Sequence, residues 1–161
     1  MVPAPRPTAT ANKTVNYLFN VHMQTSDCGT AEYNAAGCAQ GFSRVGRFPQ
    51  NAWVAGFQYW QGTQLDQQGM PIILAERLGR NDLWPKIRQA ADYLAATGPY
   101  TFQERWEEQA GYSPSTIAAE VAGLVAAAKI ARANSDLVRA KNYLAKADLW
   151  QQKVAEWTFT N

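Results

Sequence analysis

The segment that begins at Pro114 constrains the fold most, because nearly every side of the helix that it predicts is apolar. Ile117, Val121 and Leu124 recur at the three- and four-residue spacing of one helix face, and alanines fill much of the rest. A helix that is apolar nearly all round belongs in a protein interior, where other elements shield it from water. The segment therefore predicts a core helix that neighbouring helices contact on more than one side.

Two earlier segments also have helical spacing. The first predicted helix begins near Thr10, which is expected to be its N-cap. The second begins near Gln64 and stops at Gly79, a residue type that favours helix C-termini. Pro71 is expected either near the first turn of this helix or at a kink.

A third helix is predicted over residues 82–97. Asn81 is expected to cap it, and Pro85 suits the opening turn, where the missing N–H has no partner to lose. Gly98-Pro99 is expected to end it with a left-handed C-cap followed by a proline stop. The second and third helices would then form an αα-hairpin.

The core helix and a fifth helix form a second predicted hairpin. Ser113 is the expected cap of the core helix, and Ser135-Asp136 that of the fifth. The apolar stripe of the fifth helix is Leu137, Ala140, Leu144, Ala147, Trp150, Val154 and Trp157. No segment predicts a strand with a partner, so the predicted fold class is all-α, built from helical hairpins.

The N-terminal part of the chain is less regular. Residues 1–9 are expected to be disordered, and residues 10–161 to form one domain. Residues 24–63 show no sustained period, and their second half is rich in Phe, Tyr and Trp. These aromatic side chains either pin the loop to a helical core or form a platform for sugars, whose C–H faces stack on aromatic rings.

Composition excludes several function classes. The chain has 161 residues, 47% of them hydrophobic, and a formal charge of +2 with scattered basic residues. No nucleic-acid partner is expected, because no segment concentrates Lys and Arg into a phosphate-binding face. The apolar runs are judged too short to cross a bilayer, and residues 1–3 lack the pattern of a secretory leader. Neither a membrane nor a cofactor is expected.

Cys28 and Cys38 lie in the irregular region, and the sequence leaves their pairing open. A disulfide in an oxidising compartment would stabilise the fold by ~2–3 kcal/mol in the chain-entropy model. The alternative is two free thiols. No metal site is expected, because His22 is the one histidine of the chain and falls on the packed face of the first predicted helix.

Polar, aromatic and turn-forming residues gather at 103–116, between two predicted helices. Arg105 and Trp106 precede two adjacent carboxylates, Glu107 and Glu108, and a Gly-Tyr turn follows. Loops between rigid helices commonly carry binding and catalytic groups. The alternative interpretation of the two glutamates is a solvated surface pair, since exposed Glu is common.

Two blocks of sequence resemble the bacterial branch of the family 15 glycoside hydrolases, the glucoamylases and glucodextranases. The first block is RWEE at 105–108 followed by GYSPSTIAAEVAGLV at 111–125. The second is FPQNAWV at 48–54, YWQGTQLD at 59–66 and PIILAERLG at 71–79. Their order and spacing match the family over roughly residues 10–160. The resemblance implies that the helical hairpins form part of an (α/α)6 barrel.

The resemblance also implies a reaction, the hydrolysis of terminal α-linked glucose from an α-glucan or oligosaccharide with inversion. Inversion uses one carboxylic acid to protonate the leaving oxygen and a separate carboxylate to activate water. The motif match makes Glu107 the general acid and brings Glu108 against the leaving-side sugar. The other implied substrate-binding residues are Arg105 and Trp106, through their carbonyls, and Trp60, Gln64 and Asp66, which would line the pocket.

The chain departs from the family pattern at Ala55 and Gln67, where carboxylates are usual. The family's Trp-x-Arg-Asp motif falls upstream of the segments present, and its catalytic base falls downstream of Trp157. We therefore interpret the chain as a central fragment that holds the acid but not the base, and we expect negligible turnover from it alone. Family members are usually periplasmic or secreted.

The alternative is a non-catalytic helical interaction or scaffold protein derived from such an enzyme. An Ala-rich inner helix without a complete barrel around it would leave apolar surface exposed. Such a protein would self-associate through those exposed helix faces.

Overall fold

The computed structural model describes residues 8–25, 45–55, 58–60 and 63–159, and for 58–60 it describes the main chain alone. The expectations for residues 1–7 and for the pairing of Cys28 and Cys38 lie outside these residues. The helices are α1 (Ala9–Tyr17), continued by a π-helical turn (Leu18–His22), then α2 (Asp66–Arg77), α3 (Trp84–Thr97), α4 (Pro114–Ala133) and α5 (Leu137–Thr158).

Helix α4 is the centre of the core, as its sequence predicts. It packs most extensively against α5 and α2, and it also contacts α3. Among the described residues α4 is the one helix long and apolar enough to cross a membrane, so the expectation that every apolar run is too short was wrong for it. Of its apolar stretch, 61% is buried inside the protein, which is the behaviour of a core helix.

Two glycines allow α2 and α4 to touch main chain to main chain. A Cβ atom placed on Gly69 would lie 2.3 Å from the carbonyl oxygen of Ala119 on α4. A Cβ on Gly123 would lie 2.7 Å from the Cα of Gly69. Both distances are shorter than van der Waals contact, so the helix crossing requires glycine on both sides.

Several predicted helix ends are confirmed. Gly79 follows α2 with φ +67°, and its N–H donates to the carbonyl of Glu76 at 3.0 Å. Pro114 occupies the first turn of α4 after Ser113, although the Ser113 side chain makes no capping hydrogen bond. The Asp136 carboxylate caps α5 by accepting from the main-chain N–H of Arg139 at 3.1 Å.

Three other predicted ends were wrong. The cap of α1 is Thr8 rather than Thr10, since the Thr8 hydroxyl accepts from Ala11 N–H at 3.2 Å. Asn81 does not cap α3, because a 3-10 turn over Asn81–Leu83 precedes that helix. Gly98 is not left-handed: its φ of −73° and ψ of 172° make an extended C-cap. Local propensity could not show that the chain leaves α3 in an extended conformation and contacts the start of α2 at Thr101.

A short two-stranded antiparallel sheet corrects the expectation that no strand would form. Strand β1 (Asn51–Ala52) pairs with β2 (Gln58–Trp60), with Asn51 opposite Trp60 and Ala52 opposite Gln58. Each strand is too short for an alternating pattern to stand out in the sequence.

The segment before this hairpin is fixed to α2 by a buried amide. Gln68 is fully buried, and its Oε1 accepts from Phe48 N–H at 2.8 Å while its Nε2 donates to Phe48 O at 2.9 Å. Gln67 donates a second hydrogen bond to the same carbonyl at 2.9 Å. A carboxylate at position 67 could not donate in this way. The pairing fixes the position from which Gln50 extends.

Candidate active site

The loop between α3 and α4 closes on itself at its neck. Thr101 and Gly111 exchange two main-chain hydrogen bonds, at 3.0 and 2.9 Å. The buried Thr101 hydroxyl accepts from Leu65 N–H at 3.3 Å and so joins the neck to the start of α2. We call Thr101–Gly111 the acid loop. Its two ends are held by main chain, and the residues between them are presented away from the helices.

Within the acid loop the main chain turns sharply at Glu107. This residue has φ +65°, the left-handed conformation that is uncommon for a side chain of this size. Its N–H donates to Glu104 O at 2.9 Å, and Glu104 N–H donates to Gln109 O at 2.8 Å. Unusual backbone conformations of this kind concentrate at functional sites, where surrounding contacts maintain them.

The carboxylate of Glu107 is held by two amides from another part of the chain. The Nε2 atom of Gln50 donates to Glu107 Oε1 at 2.5 Å, and Nε2 of Gln64 lies 3.5 Å from the same oxygen. Gln64 also donates to the Glu104 carbonyl at 3.3 Å. The residues that flank the β-hairpin and the acid loop therefore meet at one end of the helices.

Asp66 and Arg105 connect the acid loop to the first turn of α2. Arg105 Nη2 lies 3.7 Å from Asp66 Oδ2, and Asp66 Oδ1 accepts from the N–H of Gln67 at 2.9 Å. Asp66 is 8% exposed, whereas the Arg105 side chain is 43% exposed. A carboxylate in the first turn of a helix is stabilised by the unpaired N–H groups there. The predicted pocket residues Gln64 and Asp66 thus lie next to the acid loop.

Trp106 and Glu108 lie on the outer side of the acid loop. Trp106 is 75% exposed, and Glu108 is exposed with its N–H donating to Glu104 Oε1 at 3.2 Å. Both residues line a cleft of about 390 Å³ together with Glu104 and Tyr112. A large exposed aromatic ring beside carboxylates suits contact with an amphipathic ligand.

A second cleft of about 390 Å³ lies on the α2 side of the acid loop, where Arg105 lines it. Its polar wall includes Gln50, Gln64, Asp66 and Arg105, and its apolar wall includes Phe48. His22 also lines this cleft. Its Nε2 lies 3.0 Å from the carbonyl oxygen of Pro49, and burial lowers the pKa of its imidazole.

The side chain of Trp60 lies outside the described residues, so the geometry bears on the other six predicted site residues. Gln50 and Glu104 are not among the site residues predicted from the sequence, although Gln50 lies within the FPQNAWV block. Gln50 contacts Glu107 across 57 positions of the chain, and no local pattern indicates a contact of that separation. The presence of the Gln50 amide in that block was the one sequence signal that could have indicated a role at the site.

The helical hairpins, together with the comparison with known families, define this chain as part of a glycosyl hydrolase domain. The chain belongs to the glycosyl hydrolases family 15, whose sequence profile matches residues 7–161. It is 44% identical over 145 residues to the glucoamylase of Clostridium sp. (strain G0005), covering 89% of this chain and 21% of that protein.

A solved structure gives the same result. The crystal structure of a bacterial glucoamylase complexed with acarbose superposes with a TM-score of 0.74 at 43% identity, covering 89% of this chain and 18% of that one. The predicted fold class, all-α hairpins forming part of an (α/α)6 barrel, is confirmed by this match. The chain thus spans about a fifth of the length of the relatives that it matches.

Proposed function

We propose that this chain is the acid-bearing part of a glucoamylase-type hydrolase, which releases glucose from the non-reducing ends of α-glucans with inversion. The observation that carries the proposal is the restraint of the Glu107 carboxylate by Gln50 and Gln64, in a chain of family 15. A general acid must meet the glycosidic oxygen in a fixed geometry, because misplacement by 1 Å lowers the rate strongly. Restraint from a second part of the chain provides that geometry.

The two amides act on one oxygen of Glu107. Both donate to Oε1, and no described residue donates to Oε2. An amide N–H cannot share an oxygen that itself carries a proton directed at it, so Oε2 is the oxygen that would hold the transferable proton. In the proposed reaction, that proton moves to the glycosidic oxygen as the bond from the anomeric carbon to the leaving group breaks.

We propose that the general base is not among the residues of this chain. Two carboxylates within or next to the acid loop already have structural partners. Asp66 pairs with Arg105, and Glu104 accepts from the Glu108 main chain. An inverting base must instead approach the opposite face of the sugar, about 6.5–9.5 Å from the acid, with room for a water molecule between them.

The substrate-binding assignments are part of the same proposal. The partner is an α-glucan or oligosaccharide, and the acarbose bound by the structural relative is a ligand of that class. We assign Gln64, Asp66 and Arg105 to the pocket on the α2 side, and Trp106 and Glu108 to the outer cleft. Trp60 is assigned to the pocket by its motif. Oligosaccharides suit such walls, since rings stack on tryptophan and hydroxyls bond to amides and carboxylates.

A chimeric enzyme tests the proposal. Residues 10–159 of this chain would replace the matching segment of the Clostridium glucoamylase, and glucose release from maltose would be measured. We expect turnover, and we expect Glu107→Gln to lower kcat by roughly 10²–10⁴-fold, since the amide cannot donate a proton in the same way. The control is Glu156→Gln, an exposed glutamate on α5. Full activity of the Glu107 variant in a folded chimera would refute the assignment.

The isolated chain provides a second test. We expect negligible glucose release from maltose or starch, because water activation needs the missing base. Release that disappears in Glu107→Gln would show that the base is within this chain after all.

A second candidate function is an interaction protein that self-associates. The observation that favours it is the exposure of Leu137 (67%) and Val138 (73%) at the start of α5. Leu137 also borders a groove with Ala140 and Leu144. Light scattering over a range of concentrations tests this candidate. It predicts oligomers that Leu137→Asp disperses, and a monomer at every concentration would eliminate it.

A further inference from the structure

A buried glutamate lies on α4 within the GYSPSTIAAEVAGLV block, and the proposed reaction does not use it. Glu120 is 0% exposed, and neither of its carboxylate oxygens accepts or donates a hydrogen bond among the described residues. Thr116, one turn earlier on the same face, is 1% exposed, and its hydroxyl likewise has no described partner. Buried polar groups are normally paired, so an unpaired carboxyl requires an explanation.

Glu120 lies where the elements that carry the acid loop converge. A Cβ atom placed on Gly98, at the end of α3, would lie 3.2 Å from Glu120 Oε1 and 2.8 Å from the ring of Trp150 on α5. On the α2 side, a Cβ on Gly69 would lie 3.5 Å from the main-chain nitrogen of Glu120. The carboxyl therefore lies between α5 and the end of α3, from which the chain continues into the acid loop, and the main chain of Glu120 packs beside α2.

We propose that Glu120 is a positioning residue, which fixes the acid loop by filling the junction between Gly98, Trp150 and the first turns of α2. It acts on Glu107 through two connections. The first is the main chain, which runs from Gly98 to Thr101 at the neck of the acid loop. The second is α2, which begins with Asp66, the partner of Arg105 in the acid loop. The inference rests on the proposed function in naming Glu107 as the reacting group, but its test does not measure hydrolysis.

The charges around the junction determine which form of Glu120 fits it. Asp66 at the start of α2 is the negative group that acts on Glu120, with Arg105 beyond it in the acid loop. On α5, the Nζ of Lys146 lies 5.9 Å from the centre of the Trp150 ring. Burial, followed by the charge of Asp66, raises the pKa of Glu120 to about 8. The neutral acid therefore fills the junction in the folded protein.

This arrangement makes the acid loop sensitive to pH in one direction. The folded-state pKa of Glu120 lies above its ordinary value of 4.5, so its contribution to stability is complete below pH 4.5 and is lost as the pH rises to about 8. A state in which the junction opens and hydrates Glu120 becomes more populated over that window. Glu120→Gln keeps the shape without the charge and should remove the effect.

Amide hydrogen exchange of the 161-residue chain tests the proposal. Opening constants, corrected for intrinsic exchange, would be measured at pH 5 and pH 8.5 for the N–H groups of Glu107 and Gly111, which are bonded within the acid loop. We expect the wild-type constants to rise at least about tenfold at the higher pH, since one pKa unit is a factor of ten. In Glu120→Gln the rise should be absent. The matched control is Glu156→Gln, which should behave as the wild type.

Two results would overturn the proposal. One is an equal rise in Glu120→Gln and wild type, which would assign the effect to other groups. The other is a rise spread evenly over α4 and α5, which would make Glu120 an ordinary core residue rather than a positioning residue. If Glu120→Gln fails to fold, the second result can still be tested, because the distribution of the rise over the wild-type chain needs no variant. Neither result depends on whether the chimera hydrolyses maltose.

Discussion

Two neighbouring regions of the molecule, the crossing of α2 with α4 and the acid loop, are held together in opposite ways. Both involve α2, since Gly69 lies at the crossing and Asp66 pairs with Arg105 of the acid loop. At the crossing the glycines bring main chain against main chain, and almost no side chain intervenes. In the acid loop Trp106 and Glu107 are exposed, and the shape is maintained by hydrogen bonds at the neck and by amides from Gln50 and Gln64. Tight packing thus supplies rigidity to a loop that has little packing of its own.

Gly69→Val should break the rigid half of this comparison and have the largest effect. A side chain at this position meets the Ala119 carbonyl at 2.3 Å, and neither main chain can move without separating the helices. We expect loss of cooperative folding, or destabilisation by more than about 3 kcal/mol, in urea titrations followed by circular dichroism. The control is Gly79→Ala, whose Cβ meets nothing within 4 Å and whose φ of +67° should cost about 1 kcal/mol.

Leu124→Ala and Trp106→Ala compare the two regions directly. Leu124 is fully buried on α4, so its truncation should cost about 2–5 kcal/mol. Trp106 is 75% exposed in the acid loop, and its removal should change stability by less than about 0.5 kcal/mol. Urea midpoints for both variants measure the difference. Equal losses would show that Trp106 is packed rather than presented to a ligand.

Gln68→Leu addresses the connection between the regions. The variant leaves the N–H of Phe48 without its buried acceptor and leaves the Phe48 carbonyl with Gln67 alone, and the loss should be about 1–3 kcal/mol. It should also release the segment that carries Gln50, so the chimera should lose kcat. Gln67→Leu removes only the hydrogen bond from Gln67 to the Phe48 carbonyl and should have the smaller effect. An unchanged kcat in Gln68→Leu would show that the hydrogen bonds between Gln68 and Phe48 do not affect the position of Glu107.

The smallest expected effect is on the pH dependence of stability and involves His22, which lines the cleft on the α2 side. Burial lowers the pKa of His22 below its ordinary value of 6.5, so the folded state binds fewer protons than the unfolded state as the pH approaches that value from above. Stability is therefore present above pH 6.5 and declines as the pH falls through the folded-state pKa. We expect His22→Phe to remove this part of the acid sensitivity in thermal melts between pH 7 and pH 5. An identical slope in the variant would contradict the assignment.

The difference between the two regions also explains how far the sequence could be interpreted. Periodicity and caps predicted α4, α5 and the hairpin between them, because Pro114 and Asp136 act within a few residues of their own positions. The resemblance directed attention to Glu107. What was missed depends on distant contacts: the sheet at Asn51, the extended conformation of Gly98 and the hydrogen bond from Gln50. Local spacing contains no information on those partners.

The closed neck of the acid loop has a consequence for how such a protein can change. Since Thr101 and Gly111 are bonded to each other, residues 102–110 begin and finish at one place, whatever their sequence. Insertions or exchanges inside that ring should alter its exposed surface without shifting α3 or α4. The exposed residues of this ring can therefore be exchanged without rebuilding the helices. Libraries that vary them while keeping Thr101 and Gly111 should yield folded proteins with new ligand preferences.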